Sequence, residues 1–338
     1  MTDASYPLGK LPADQLEKLL AAYQPHDPRL IAGGQVGQDA AVIDMGDRYL
    51  IAKTDPITFA SDEIGWYAVN VNANDIACAG AMPKWFLAAI LLPAGKAYPA
   101  LVDNIFAQIA AACANLNITL AGGHTEITYG LDRPIVVGQM LGEVAKDRLV
   151  LTRGARPGDD LLLTKRIAVE ATAIMAREKR AELAPLYSEA ELDRLANFLR
   201  QPGISIVAEA QAAVAMGGVH AMHDPTEGGV ATGLWELAKA AHVGLEIFEA
   251  RLPYDPDCQA LCQHFGLDPL GVIASGSLLL VVDSQITQLL YEKLSEMRLE
   301  VSLIGQVKEK TFGVQLVGPR GKRLLPIFER DEITKLFE

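Results

Sequence analysis

The sequence predicts a two-domain α+β protein whose strands and helices alternate much as they do in α/β folds. Three observations carry that expectation. At 338 residues the chain exceeds what one small core organises, so two domains are the default. Strand-patterned and helix-patterned segments alternate in both halves. The polar break Arg153-Gly154-Ala155-Arg156-Pro157-Gly158-Asp159 separates the halves and sets the domains at 1–153 and 154–338.

In the first half, Leu11 to Tyr23 reads as an amphipathic helix, because Leu16, Leu19, Leu20 and Tyr23 share a face. Ala40–Ile43 and Tyr49–Thr54 read as strands around a turn at Met45-Gly46-Asp47. Ser61 is a good N-cap type, and Asp62–Ala79 follows in helical pattern up to Gly80, with Pro83 beyond. Its small residues Ala68, Ala73, Ala77 and Ala79 admit a close neighbour. Trp85–Leu92 reads as a buried strand, Pro99–Leu116 as a helix, and Ile118–Ala121 and Ile135–Val144 as strands. After the break come a strand at Asp160–Thr164, three helical stretches to about Met216, a strand at Val219–Met222 and a helix from Gly228 to Ala241. Then Leu245–Ile247, Gly276–Val282, Val301–Val307 and Phe312–Val317 read as strands, with helices at Asp257–His264 and Gln285–Met297.

Half of the residues are hydrophobic and 21% are charged, which permits a large interior. A net charge of −12 argues against nucleic acid or an anionic membrane as partner. An acidic protein binds an anionic cofactor through metal ions, backbone N–H groups and a few local cations. No charged n-region followed by an apolar run opens the sequence. The most apolar stretch, Trp85 to Pro93, is far short of the ~20 residues that span a bilayer. The expectation is a cytoplasmic protein. Cysteines 78, 113, 258 and 262 are too few for a disulfide framework, and Cys258, Cys262 and His264 lack a second ligand pair at zinc-site spacing.

Four Asp-bearing segments carry the chemistry: Gly37-Gln38-Asp39, Lys53-Thr54-Asp55, Asn72-Ala73-Asn74-Asp75 and Asp224-Pro225-Thr226-Glu227-Gly228-Gly229. Carboxylates gathered in one cleft repel each other unless a dication sits among them. Asp39 stands at a turn, where it either reaches a cleft or closes an Asx turn. Lys53 and Asp55 share one face of a strand near its end, as a site pair or as an exposed salt bridge. Asn70, Asn74 and Asp75 interrupt an apolar helix, and burying them requires partners, either a ligand or a capping network. Gly122-Gly123 reads as the end of a strand where backbone N–H groups meet phosphate, although it is neither a Walker loop nor a dinucleotide fingerprint. His124 and Glu126 follow as base, ligand or salt-bridged pair. The Gly228-Gly229 start of a helix offers free N–H groups to an anion. Together these segments point to ATP with Mg²⁺.

The order of motifs resembles the superfamily of aminoimidazole ribonucleotide (AIR) synthase, thiamine-monophosphate kinase, selenophosphate synthase and the hydrogenase maturation factor HypE. Gly37-Gln38-Asp39-Ala40-Ala41-Val42 is similar to its G-D-D-A-A-V, and Val71 to Ile76 with Gly80-Ala81-Met82-Pro83 to its V-N-x-N-D-x-x-x-x-G-A-x-P. Ala121 to Glu126 resembles its G-G-[DH]-[TS] turn, and Ala274 to Leu279 its S-S-G-[TS]-L-L. His223 to Gly229 resembles the D-P-T-x-G-G segment most typical of HypE. The resemblance implies an N-terminal sheet that closes into a barrel with its twin across a homodimer, and ATP in the cleft between subunits. It implies Mg²⁺ held by Asp39, Asp75 and Asp224, and nucleotide contacts from Gly37, Gln38, Lys53, Asp55, Asn72, Asp75, Gly122, Gly123, His124 and Thr125. His124, Glu126 and Lys10 are the candidates for catalysis, with Lys10 either reaching the phosphates or simply solvated.

The implied activity is phosphorylation or dehydration of an amide-type oxygen on a small molecule, with a maturation protein as a further partner. Gln38 departs from the family by removing one negative charge, and no cysteine follows Cys262, so a HypE-like reaction on a C-terminal cysteine is not expected. A thiamine-monophosphate kinase would carry S-D-G-L where Thr226-Glu227-Gly228-Gly229 stands. A nucleotide-binding maturation or regulatory protein with little turnover is the third reading.

Overall fold

The computed structural model describes Tyr6 and residues 9–22, 27–33, 40–58, 60, 62–319 and 321–337, apart from the side chains of residues 13 and 14. Gly37, Gln38, Asp39 and Ser61 lie outside them. The first half runs α1 (Ala13–Ala22), β1 (Leu30–Ala32), β2 (Ala41–Asp44), β3 (Arg48–Ile57), α2 (Ile64–Cys78), β4 (Met82–Pro93), α3 (Pro99–Asn115), β5 (Thr119–Thr128) and β6 (Ile135–Ala145). Its six strands pair in the order β1-β2-β3-β6-β4-β5, antiparallel except for β4 with β5.

The second half runs β7 (Asp160–Thr164), α4 (Val169–Glu178), α5 (Arg180–Leu183), α6 (Glu189–Ala196), α7 (Val207–Met216), β8 (Val219–His223) and α8 (Gly229–Ala241). It continues with β9 (Gly244–Phe248), α9 (Pro256–Phe265), β10 (Leu279–Val282), α10 (Thr287–Glu296), β11 (Val301–Lys308), β12 (Val314–Gly318) and β13 (Gly321–Leu324). Its sheet orders as β13-β12-β9-β11-β7-β10-β8. The result is a mixed α/β fold of two domains, each with one open sheet. The barrel implied by the resemblance is not closed within one chain, because β1 and β5 remain as edges.

Helix α2 joins the halves. Every residue in it except Trp66 is buried, as the lack of a polar face in its sequence requires. One side packs on β3, β6 and α3, the other on α7 and β8. Close approach to the first sheet depends on glycine: a Cβ on Gly138 of β6 would stand 2.3 Å from Asn72 Nδ2. The helix starts at Ile64, after Glu63 in a left-handed conformation, and the Gln108 side chain accepts the Gly65 N–H at 3.0 Å.

Two expectations change here. β5 does not end at Ala121 but runs through Gly122 and Gly123 to Thr128, so the glycine pair is extended edge strand rather than a turn. A Cβ on Gly123 would come within 2.0 Å of the Ala88 carbonyl oxygen, so the close parallel pairing with β4 explains that glycine. Asn74 spends its amide on structure: Nδ2 donates to Ile204 O at 2.8 Å, and Oδ1 accepts from Ile206 N at 2.9 Å. The buried Lys165 holds the same loop from the other side through Gly203 O and Ser205 O, and pairs with Glu209 at 2.9 Å.

Asn74→Ala should lower stability by about 2–4 kcal/mol, since it strands a buried N–H and a buried C=O at once. A drop in the urea midpoint at unchanged m-value is the expected result, and a midpoint within error of wild type would contradict the clamp.

Candidate functional site

Three of the four Asp-bearing segments fall in the described residues, and they meet where α2 crosses from one sheet to the other. Lys53, on β3, is 14% exposed and sits between two acids, 3.2 Å from Asp75 Oδ2 and 3.8 Å from Asp55 Oδ2. β3 alternates, so residues 53 and 55 present to one face, and that face looks at α2. Asn72 fixes the end of the same strand: its Nδ2 donates to Asp55 O at 3.3 Å and to Ala68 O at 2.9 Å. Its Oδ1 is buried without a hydrogen-bond partner among the described residues. One turn beyond Asp75, the Cys78 thiol donates to Asp224 Oδ1 at 3.4 Å. Asp75 and Asp224 are 4% and 2% exposed. Among the described residues no group of three or more His, Cys, Asp or Glu side chains converges to hold a metal ion.

Gly122, Gly123, His124, Thr125 and Glu126 are not brought to this place within one chain. They lie on exposed β5, which β6 and β4 separate from β3, a span of roughly 14 Å at the usual strand spacing. His124 Nε2 is 3.5 Å from Glu126 Oε2, and both side chains are mostly in solvent.

The Asp224–Gly229 loop also differs from expectation. The helix start at Gly228-Gly229 is not left open to an anion, because the chain fills it. Gly228 N–H donates to Asp331 Oδ2 at 2.6 Å, Gly229 N–H to Thr226 O at 3.0 Å and Ala231 N–H to Leu270 O at 3.0 Å. Burial pushes the Asp331 carboxyl up to about 6 against the pull of its backbone donors. Lys10 reaches this loop from the other end of the sequence, 2.9 Å from Glu227 Oε2 and 3.2 Å from Thr226 Oγ1. Burial works against the charged form of Glu227, but the Lys10 ammonium and its hydrogen bonds prevail and hold the carboxyl below its ordinary value.

Beside the loop a narrow cleft opens between the domains, with Asp55, Thr226, Glu227, Ser275 and Glu170 on its polar wall. Sequence reasoning missed Glu170. It stands in the first turn of α4, 4% exposed, and its Oε2 accepts the Ser275 N–H at 3.2 Å. Burial raises its carboxyl to about 8; the Ser275 contacts oppose the rise, and the Glu227 and Asp331 charges add to it. The available signal was a lone acid in the apolar run Ile167-Ala168-Val169-Glu170-Ala171. Asp331 carried no such signal.

Two models of the AIR synthase related protein family match the chain, the N-terminal domain over residues 37–144 and the C-terminal domain over residues 156–317. The carbamoyl dehydratase HypE of Cupriavidus necator is 31% identical over 254 residues, which is 72% of this chain and 69% of that one. A protein of Methanocaldococcus jannaschii assigned to hydrogenase expression and formation is 26% identical over 313 residues, 88% of each chain. A crystal structure of the hydrogenase maturation protein HypE in complex with ATP superposes with a TM-score of 0.73 at 23% identity, over 91% of this chain and 92% of that one. These matches define the class: a two-domain, mixed α/β protein folded like HypE. The chain belongs to the AIR synthase related family.

The folded Glu170 carboxyl keeps its proton up to about pH 8, whereas an unfolded glutamate releases it near 4.5. The stability tied to the neutral form is therefore complete below 4.5 and is lost as pH rises towards 8. Glu170→Gln, permanently neutral, should melt like wild type at pH 4 and more stably at pH 8, by at most about 4 kcal/mol. Equal melting temperatures at pH 8 would contradict the burial of an acidic proton here.

Proposed function

We propose that this chain is an Mg-ATP-dependent enzyme that phosphorylates, and by that route dehydrates, an amide-type oxygen on a small molecule. The observation that carries the reading is the cluster on α2: Lys53 set between Asp55 and Asp75, with Asp224 one helical turn away on Cys78. The donor set suits Mg²⁺, a hard cation that is commonly held by one or two carboxylates plus phosphate oxygens rather than by a closed cage of protein ligands. Asp75 and Asp224 would hold it together with Asp39, and once bound it would neutralise charge on the phosphates.

The chain's own residues do the rest. Lys53 is the cation placed to meet a phosphate oxygen, and Asn72 keeps the strand end of Asp55 in position. The reacting group belongs to a separate molecule, since all four cysteines are buried and none is placed to carry it. The relatives named for hydrogenase maturation support a maturation protein as partner. The sheets support a division at 153/154, with nucleotide binding and dimer contacts in 1–153.

A homodimer fits the open edge. β5 is exposed along its length, Leu120 and Ile127 are apolar on it, and Tyr129 follows at 90% exposure. A long exposed edge invites another strand. The depression of about 380 Å³ beside it, lined by Phe106, Leu120 and Gly122 to Thr125, is apolar enough to take a second copy. Joined through this edge, two sheets would close into a barrel and bring Gly122 to Glu126 toward a shared nucleotide cleft.

Asp75→Asn should weaken Mg-ATP binding at least tenfold by calorimetry, because it removes a proposed metal ligand and one of the two carboxylates beside Lys53. Unchanged affinity would sink the site assignment. Ile127→Lys should convert a dimer to a monomer in sedimentation, and a wild type already monomeric at micromolar concentration would refute the β5 interface.

A further inference from the structure

The sheet of the second domain ends in an edge to which nucleotide binding gives no task. β13 pairs with β12 on one side, and among the described residues no strand lies on its other side. All four of its residues, Gly321 to Leu324, are exposed. The unpaired N–H and C=O groups of such an edge are a template for another extended chain. The edge is distinct from that of β5, which belongs to the sheet of the first domain.

Charge around this edge runs opposite to that of the whole chain. Against a net charge of −12, residues 308–323 carry Lys308, Lys310, Arg320, Lys322 and Arg323 and the single acid Glu309. Arg320 lies outside the described residues. Lys308 pairs with Glu246 at 2.9 Å and Arg323 with Glu249 at 2.5 Å. Two further cations lie over rings: Lys322 Nζ is 4.7 Å from the centre of the Phe312 ring, and the Arg251 guanidinium is 5.0 Å from that of Phe248. A ring holds a cation in place without cancelling its charge, so both keep theirs. Distant acids of the chain are screened beyond about 8 Å at physiological ionic strength. The local cations therefore set the field that an incoming strand meets.

Register makes the demand specific. Along β13, Lys322 and Leu324 stand on one face and Arg323 on the other. Residues directly opposite each other form the pairs that stabilise a sheet, so this edge favours acids opposite Lys322 and Arg323 and an apolar residue opposite Leu324. Leu324 is 67% exposed. Ile327, 73% exposed, follows at a depression of about 420 Å³ lined also by Phe328, Glu329, Arg330 and Glu332, which has room for a further apolar side chain. Lysine on an edge ordinarily keeps strands apart. Here it bars a second copy of the same edge, because two-fold pairing sets Lys322 and Arg323 against like charge. An acidic strand meets no such bar.

We propose that β13 is a docking edge for an extended, acidic segment of another protein, which joins the second-domain sheet as an added strand. Backbone hydrogen bonds to the edge supply affinity, and side chains supply selectivity. Acids of the segment meet Lys322 and Arg323, and an apolar residue meets Leu324. β8, which leads into Asp224, stands at the opposite end of the strand order, about 30 Å away at the usual strand spacing. Docking at β13 therefore leaves the Asp224 loop free, and the inference stands whether or not the chain binds Mg-ATP.

The test uses the full-length protein and a short fluorescent peptide of repeating glutamate-glutamate-valine, read by anisotropy. One control peptide has lysine in place of glutamate, and another carries N-methyl groups on alternate residues, which removes strand-forming donors. Wild type should bind the acidic peptide about tenfold or more tightly than either control, less tightly as salt rises, and with slower amide exchange across 321–324. Reversing both charges, Lys322→Glu with Arg323→Glu, should weaken binding by about tenfold or more, and Lys322→Gln should weaken it by less. Both variants should melt like wild type; where the double variant melts early, Lys322→Gln alone decides. Equal binding of the N-methylated peptide would mean charge attraction without strand pairing, and equal binding of the lysine peptide would mean no charge selection. Either overturns the proposal, as does undiminished binding by the charge variants. Self-association of wild type in sedimentation that the double variant abolishes also overturns it, by making a second copy the occupant.

Discussion

The molecule depends on burying the polar residues of α2. A helix closed on all sides holds Asn72, Asn74 and Asp75 away from water, and each unsatisfied amide there would cost about 1–3 kcal/mol. The partners come from both directions. β3 supplies the Asp55 carbonyl and Lys53, and the second domain supplies the Ile204–Ile206 backbone. Neither domain alone satisfies the helix. The hydrogen bonds that join the domains therefore also hold Asp75 and, through Cys78, Asp224 at fixed positions. Joining the domains and building the site are one physical event, which suits a reaction whose catalysis comes mostly from positioning.

Charge has been managed with few cations. With a net charge of −12, the chain places Lys53 among the acids of α2 and β3 and Lys10 on Glu227. The helix end that looked open to an anion is closed by Asp331, which removes the usual phosphate seat. Lys53 is the cation beside Asp55 and Asp75, and buried carboxylates of this kind demand compensating positive charge. Burial of Asp75 and Asp224 strengthens that demand, because an ion pair broken in a low-dielectric setting is far more costly than one at the surface.

Much of this was legible in the sequence, for reasons that differ by element. Strands such as Asp160–Thr164 and helices such as Pro99–Asn115 announce themselves by periodicity and breakers, and the structure places them within a residue of expectation. Lys53 with Asp55, and Asp75 in an apolar helix, were visible because buried charge in an apolar run needs a reason. The glycine pair misled because local flexibility suggests a turn, whereas the cause lies in a neighbouring strand: Ala88 O leaves no room for a Cβ on Gly123. Asn74 misled for a similar reason, since its partners are 130 and 132 residues away. Asp331 and the docking of Lys10 are also products of long-range contact, which no local pattern reports.

The cleft also shows how one loop sets two acids to opposite states. Glu227 and Glu170 line the same wall, yet Lys10 holds the first ionised while burial keeps the second protonated through neutrality. The two are linked, because the Glu227 charge is among the influences that raise Glu170. Lys10 thus acts on Glu170 at one remove: by keeping Glu227 negative it helps to keep its neighbour neutral. Titratable groups driven apart in this way are how one site retains both a fixed negative charge and a carboxyl able to exchange a proton near neutral pH. Lys10 is therefore part of the proton balance of the cleft as well as a partner of Glu227.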